Sequence, residues 1–126
     1  MGGKIKMGKH DELHIQAQCF RYLRSLGIFC HSVPNEAYGR SMIAQQQLMA
    51  SGLVPGVADM IVWWKKNDRV QIGYIEFKTK TGKQSQYQKT FETKCKINGI
   101  RYDLVRSLSD LEKVVKDIEL ENNLLF

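Results

Sequence analysis

The sequence predicts a single α/β domain, and three observations lead to this fold class. Its 126 residues, of which 43% are hydrophobic, suffice for one core and leave no room for a second. Stretches with helical spacing of apolar residues alternate with short β-rich stretches in the order α, β, (α), β, β, α, β, α. No repeat, linker or low-complexity segment interrupts that order. We therefore expect one domain over residues 1–126, in which residues 1–9 are a basic arm or non-native residues.

Each element in the first half is bounded by residues that favour its start or its end. The first helix is predicted over Asp11–Leu26, where apolar residues recur at helical spacing until Gly27. A strand over Ile28–Val33 ends at Pro34, whose ring restricts the preceding residue to extended conformations. The Met-, Ala-, Gln- and Leu-rich stretch Ser41–Ser51 predicts a short helix.

The second half supplies a hairpin followed by a helix, a strand and a helix. Two β-rich stretches, Val57–Trp64 and Val70–Lys78, flank a short polar connection, so they are expected to pair antiparallel. A helix over Gln86–Asn98 and a strand over Ile100–Arg106 follow. Ser109 is the expected N-cap of a final amphipathic helix.

Charge and cysteine content restrict the partners and the compartment. Nineteen Lys and Arg against thirteen Asp and Glu give a net charge of +6, which favours a polyanion such as nucleic acid, although an ordinary basic protein would have the same charge. Cys19, Cys30 and Cys95 are odd in number and lack C-x-x-C spacing, so we expect buried, reduced thiols in a cytoplasmic protein. No apolar run approaches the roughly 20 residues of a membrane span, and no membrane partner is expected.

A carboxylate and an amine are predicted to share one side of the third strand. Alternation along Val70–Lys78 places Glu76 and Lys78 on the same face, about 7 Å apart. Antiparallel pairing with the preceding strand could bring Asp59 opposite Glu76, and two carboxylates with the Phe77 carbonyl would suit Mg²⁺ or Mn²⁺. Alternating charges on a solvated strand are the plainer interpretation of the same triplet.

A longer pattern connects these residues to a known family. Pro55-Gly56-Val57-Ala58-Asp59, with Glu76-Phe77-Lys78 beginning seventeen positions after Asp59, resembles the PG-x-(P/A)-D … E-x-K signature of VRR-NUC (virus-type replication-repair nuclease) domains, a division of the PD-(D/E)XK nucleases. Ala58 replaces the proline that is commonest before the aspartate. Pro34-Asn35-Glu36 and Ser85-Gln86-Tyr87-Gln88 resemble further family segments, and the resemblance covers about residues 12–110.

The resemblance implies a fold, a set of site residues and an activity. The implied fold is a restriction-endonuclease-like αβββαβ core with a mixed central sheet flanked by helices. Asp59 and Glu76 would be metal ligands, and Lys78 would be the catalytic lysine. The implied activity is that of a Mg²⁺- or Mn²⁺-dependent DNA endonuclease. Branched DNA such as four-way junctions or flaps would be its substrate, and a bacterium, prophage or phage its source. A homodimer is expected for a separate reason, because a domain this small offers limited surface for a specific DNA interface.

Two further residues receive catalytic roles from the resemblance, and each also has a structural explanation. Glu12 would support the metal or its water shell, but a glutamate in the first turn of a helix also favours the helix dipole. Gln88 would position reacting groups, but Ser85-x-x-Gln88 is also a capping box, and the two roles can coexist.

Contacts to nucleic acid are expected around this site. The candidate residues are Asn35, Glu36, Arg40, Lys80, Lys83 and Lys89, of which the lysines could equally form a solvated helix face. Trp63 and Trp64 point to opposite faces of a strand, so one is expected in the core, while the other either packs as well or stacks on a base. A non-catalytic DNA-binding module and a sequence-specific restriction-type endonuclease are the alternative functions.

Overall fold

A computed structural model of the protein describes residues 9–34 and 41–122. Helices and strands alternate along the chain much as the apolar pattern predicts. The helices are α1 (Lys9–Ser25), α2 (Met42–Ala50), α3 (Gln86–Ile97) and α4 (Leu108–Asn122), and the strands are β1 (Phe29–Ser32), β2 (Met60–Lys66), β3 (Arg69–Phe77) and β4 (Arg101–Val105). The α/β fold class is therefore confirmed.

The four strands form one mixed sheet in the order β1-β2-β3-β4. β1 pairs antiparallel with β2, and β2 pairs antiparallel with β3 through a two-residue turn at Asn67 and Asp68. Both turn residues have positive φ, 52° and 62°, as the tight hairpin turn that matches the strand twist requires. β4 lies parallel to β3, because the chain returns through α3 before it re-enters the sheet.

The main core lies between one face of the sheet and the helices α1 and α4. Val62, Ile75 and Phe77 project from the strands and pack against apolar residues of both helices, including Leu23 and Leu111. Phe77 is completely buried, so it fixes the end of β3 against this layer. The apolar side chains of β3 therefore determine its position, independently of the polar side chains that alternate with them along the strand.

A smaller apolar cluster lies between α3 and the opposite face of the sheet. It contains Ala58, Cys95 and Tyr102, against which Tyr74 and Phe91 pack. The rings of Tyr74 and Phe91 meet edge to face with centroids 4.9 Å apart. This cluster holds α3 over the β3–β4 half of the sheet.

Several boundaries differ from the sequence predictions by one to three residues. β2 begins at Met60 rather than Val57, because residues 55–57 form a turn ahead of the strand. β3 ends at Phe77, and Lys78 follows it, although its amide still donates to Val105 O at 3.1 Å. Ser109 is not the N-cap of the last helix, since the amide of Asp110 donates to the Oγ of Ser107, two residues before the expected cap.

All three cysteines are buried free thiols, as predicted. Within residues 9–34 and 41–122, no helix combines the length and the apolarity that a membrane span requires.

Candidate active site

The candidate site lies where β2 begins and β3 ends. The register pairs Met60 with Ile75, and one further step along it puts Asp59 opposite Glu76. Asp59 Oδ2 accepts a hydrogen bond of 2.7 Å from the amide of Phe77, which fixes the carboxylate across the end of the ladder. The two carboxylates of the sequence motif, seventeen positions apart, are therefore neighbours in space.

The turn before Asp59 rests on the first turn of α3. Gly56 has a φ of +88°, and a Cβ at this position would clash with the Tyr87 carbonyl and lie 2.8 Å from the Gln88 nitrogen. Only glycine allows both the backbone conformation and this close approach. The Pro-Gly of the motif thereby joins the segment that carries Asp59 to the helix that carries Gln88.

Glu76 is a carboxyl group in an unusual environment. Its side chain is 1% exposed, and burial raises its pKa to about 9, with the negative charge of the adjacent Asp59 adding to the increase. The positive charge of Lys78 acts in the opposite direction. The described residues offer Glu76 Oε1 no hydrogen-bond donor, and a hydrogen bond between Glu76 and Asp59 requires a proton shared by the two carboxyls, so this oxygen is available to a proton or a cation.

Lys78 lies immediately after β3 and is itself buried, with 8% exposure. Its Nζ is 3.8 Å from Glu12 Oε1, which reaches the site from the first turns of α1. The Glu12 charge also contributes to the raised pKa of Glu76. Three elements therefore place Glu12, Asp59, Glu76 and Lys78 in one electrostatic cluster.

Gln88 combines a capping role with a contact to Glu76. Its Oε1 accepts from the Ser85 amide at 2.8 Å, and its own amide donates to Ser85 Oγ at 3.2 Å, which completes a capping box at the start of α3. The box fixes the orientation of the side-chain amide, whose Nε2 donates to Glu76 Oε2 at 2.8 Å. One residue thus starts the helix and orients the buried carboxyl.

A second layer of polar groups lies behind Glu76. Gln84 Nε2 donates to Tyr102 Oη at 3.1 Å and to Glu92 Oε1 at 3.0 Å. Burial, followed by the charge of Glu76, raises the pKa of Tyr102, so this phenol remains neutral. Sequence patterns gave no indication of Gln84 or Tyr102, because their neighbours are distant in the chain.

The loop that follows Lys78 is held by a single arginine. Arg106 Nη1 donates to the carbonyls of Thr79 and Gly82, both at 2.7 Å, and to that of Lys80 at 3.3 Å. Within the loop, the Gly82 amide donates to Thr79 Oγ1. The sequence does not predict this role for Arg106, because nothing in the pattern around an arginine at the end of a strand indicates which carbonyls it will contact.

The donor set at this site suits a divalent cation. Asp59 and Glu76 offer hard carboxylate oxygens, and Mg²⁺ commonly uses one or two carboxylates and completes its shell with water. The unpartnered Oε1 of Glu76 is an oxygen that such an ion would occupy. Among the described residues, no group of three or more His, Cys, Asp or Glu side chains is arranged to hold a metal, so the protein ligands offered here are two carboxylates.

The predicted DNA-contacting residues are distributed unevenly. Lys80 and Lys83 are exposed on the loop that Arg106 holds, and Lys89 is exposed on the first turns of α3, beyond Gln88. All three are close in sequence to the candidate site. Asn35, Glu36 and Arg40 lie outside the described residues.

Comparison with protein families matches this chain to one domain. The family described as the VRR-NUC domain matches residues 14–108, about three quarters of the chain. The matched region contains Asp59, Glu76, Lys78 and Gln88, and Glu12 lies two positions before it. No match was found among curated proteins.

Proposed function

The chain belongs to the VRR-NUC family, whose members have a nuclease-type function in DNA processing, and from this premise we propose that it is a Mg²⁺- or Mn²⁺-dependent DNA endonuclease that cleaves branched DNA. The observation that carries the proposal is the buried Glu76, which has an unpartnered oxygen and two neighbours, Asp59 and Lys78. A buried carboxyl beside a second carboxyl is unfavourable unless a proton or a cation compensates it.

The carboxylates of Asp59 and Glu76, with the Phe77 carbonyl, would hold the ion. A bound divalent ion supplies an activated water and neutralises charge on the phosphate. The Phe77 amide keeps Asp59 oriented, and Gln88 keeps Glu76 oriented, so the pair is arranged before any ligand arrives. Such preorganisation avoids the cost of moving charged groups during the reaction.

Lys78 has a separate role in this scheme. A protonated lysine cannot ligate a metal, so its ammonium would orient the attacking water or stabilise negative charge on the phosphate. Glu12, 3.8 Å from the Lys78 nitrogen, would hold that ammonium in place and support the water shell of the ion. The resulting arrangement hydrolyses a phosphodiester bond with water as the nucleophile.

The substrate is proposed from the charge and the size of the domain. The net charge of +6 and the exposed lysines at positions 80, 83 and 89 favour contact with phosphates. A domain this small has limited surface compared with the roughly 1,000 to 2,500 Å² of specific protein–DNA interfaces. A two-fold dimer would double the surface and present two sites to a symmetric four-way junction.

Cleavage assays with defined DNA structures test the proposal. Labelled four-way junction, flap, duplex and single-stranded DNA are incubated with Mg²⁺, with Mn²⁺ or with EDTA. We expect cleavage of the branched substrates only with metal, and a loss of at least about a hundredfold in Asp59→Asn and in Glu76→Gln. Glu112→Gln, at an exposed position on α4, makes the same charge change away from the site and should cleave normally.

The outcomes separate the proposal from its alternatives. Cleavage at the wild-type rate by either site variant would overturn the assignment. Tight DNA binding without cleavage under every metal condition would identify a non-catalytic binding module instead. Cleavage confined to one duplex sequence would identify a restriction-type endonuclease.

A further inference from the structure

Among the residues that the structure describes, one face of the sheet is covered over only half of its width. α1 and α4 pack on the face that carries Val62, Ile75 and Phe77, and α3 covers the other face only near β4. The remaining half of that second face consists of side chains from β1, β2 and the first part of β3. We call it the open face and define it by Phe29, His31, Trp63 and Ile72.

The open face exposes an aromatic cluster. Phe29 and Trp63 are directly opposite each other in the β1–β2 ladder, and their rings meet edge to face with centroids 4.6 Å apart. The His31 ring lies 6.0 Å from that of Phe29. Trp63 is 36% exposed and Ile72, its partner on β3, is 41% exposed. Exposed apolar side chains that adjoin one another, rather than lying singly, are typical of a contact surface.

The open face also leads directly to the candidate active site. Side chains alternate along a strand, so Asp59, Ile61 and Trp63 point to the same side of the sheet. The distance from Asp59 to Trp63 along β2 is about 13 Å, which spans two to four nucleotides of a single strand, depending on how far it is stretched. A strand whose phosphate lies at the carboxylates would therefore pass its bases over Trp63.

Cations border the aromatic cluster. The guanidinium of Arg24 lies 5.3 Å from the centre of the Phe29 ring and donates to the Cys30 carbonyl. Lys65, two positions beyond Trp63 on β2, is exposed on the same side of the sheet. Aromatic rings flanked by positive charge are the chemistry that holds single-stranded nucleic acid.

From this geometry we infer that the open face is a stacking platform for unpaired nucleobases next to the scissile phosphate, with Trp63 as its central ring. This inference takes from the proposed function that DNA is the ligand, and it does not require that the DNA be cleaved. A second copy of the chain would fit this face less well than a polyanion, because each copy carries a net charge of +6 and the same cations at the border of the face. Bases inside a duplex are stacked on each other, so only an unpaired arm can use the platform.

Tryptophan fluorescence can report this contact directly. The chain has two tryptophans, and Trp64 is buried with 4% exposure, so a base that stacks on the open face reaches only Trp63. We expect a 12-nucleotide oligo-dT, added in EDTA to prevent cleavage, to quench the signal. In Trp63→Phe the quenching should disappear, while the affinity, followed by anisotropy of a labelled oligonucleotide, stays within about threefold of wild type.

A variant without an aromatic ring distinguishes stacking from simple packing. Trp63→Leu keeps apolar volume beside Phe29 but removes the π-face, and it should weaken oligo-dT binding by about five- to a hundredfold. A blunt duplex should bind Trp63→Leu as tightly as it binds the wild type. Ile97→Ala, which changes an exposed apolar residue at the end of α3, should leave both affinities unchanged.

Each contrary result has a definite meaning. Wild-type affinity of Trp63→Leu for oligo-dT, or an equal loss for duplex and single strand, overturns the platform. A change from dimer to monomer in Trp63→Leu, seen by sedimentation, would show that a second copy covers this face and would also overturn it. If Trp63-dependent binding is present but no DNA is ever cleaved, the proposed nuclease function fails and the platform stands.

Discussion

Replacing Glu76 by glutamine should stabilise the metal-free protein at neutral and alkaline pH. The folded protein keeps a proton on Glu76 up to about pH 9, because burial and Asp59 raise its pKa, whereas the unfolded chain releases it near the ordinary pKa of 4.5. Between these two values unfolding releases a proton, so the stability of the wild type falls as the pH rises. Glutamine is neutral, has nearly the same shape and still accepts the hydrogen bond from Gln88.

The size of the effect follows from the same pKa difference. Each pH unit above 4.5 removes up to about 1.4 kcal/mol from the free energy of unfolding of the wild type. At pH 7 the variant should therefore be more stable by at most about 3 kcal/mol, which corresponds to roughly 10 °C in Tm for a domain of this size. The difference should disappear as the pH approaches 4.5 and should grow until about pH 9.

Thermal or urea unfolding in EDTA from pH 5 to pH 8.5 measures this difference. Glu112→Gln, at an exposed site on α4, makes the same replacement where no burial raises the pKa, and it should show no comparable gain. Adding Mn²⁺ should stabilise the wild type and not the Glu76 variant, since an ion that binds only the folded state adds stability. A Glu76→Gln protein no more stable than the wild type at pH 8.5, or one with a pH-independent difference, would refute the reasoning.

Three other substitutions test separate parts of the site. Lys78→Ala should keep Mn²⁺ affinity in calorimetry, because the ammonium is no ligand, while cleavage falls by about a hundredfold or more; complete loss of metal binding would contradict this role. Gly56→Ala should destabilise the fold by at least about 2 kcal/mol in urea unfolding, since its methyl group meets the Tyr87 backbone at a positive φ; an unchanged midpoint would contradict that contact. Arg106→Met should accelerate hydrogen exchange at Gly82 by releasing the loop carbonyls, and unchanged exchange would show that the loop holds itself.

Local sequence patterns were sufficient to predict most helices and strands of the fold. The spacing of apolar residues predicted the helices α1, α3 and α4, and the β-rich stretches around Asn67 and Asp68 predicted the hairpin, because period and turn chemistry are properties of neighbouring residues. The Ser85–Gln88 capping box was predicted for the same reason and is present. The family resemblance, which depends on a few residues at fixed spacing, is confirmed by the match over residues 14–108.

Boundaries were less accurate where a local signal competed with tertiary contacts. Ser109 and Ser107 are both acceptable N-caps by residue type, and the choice of Ser107 accompanies the hydrogen bond from the Arg106 amide to Asp110. Val57 is as β-prone as the residues after it, but the turn at Gly56, which rests on α3, delays the start of β2 to Met60. For β2 the deciding partner, α3, is distant in the sequence, whereas for the last helix the decision lies in the local pairing of Arg106 with Asp110, which residue types alone left open.

By itself, the sequence determined which residue types carry chemistry and on which strand side they lie, because alternation along β3 and the spacing of the motif depend only on the order of residues. Tertiary structure alone decided that Glu76 is buried with one oxygen unpartnered, that Gln88 reaches it, and that Arg106 holds the loop after Lys78. Burial, a raised pKa and a hydrogen bond between two elements depend on the tertiary environment of a side chain. Residues far apart in the chain form that environment, so it exists only after the sheet and the helices have packed.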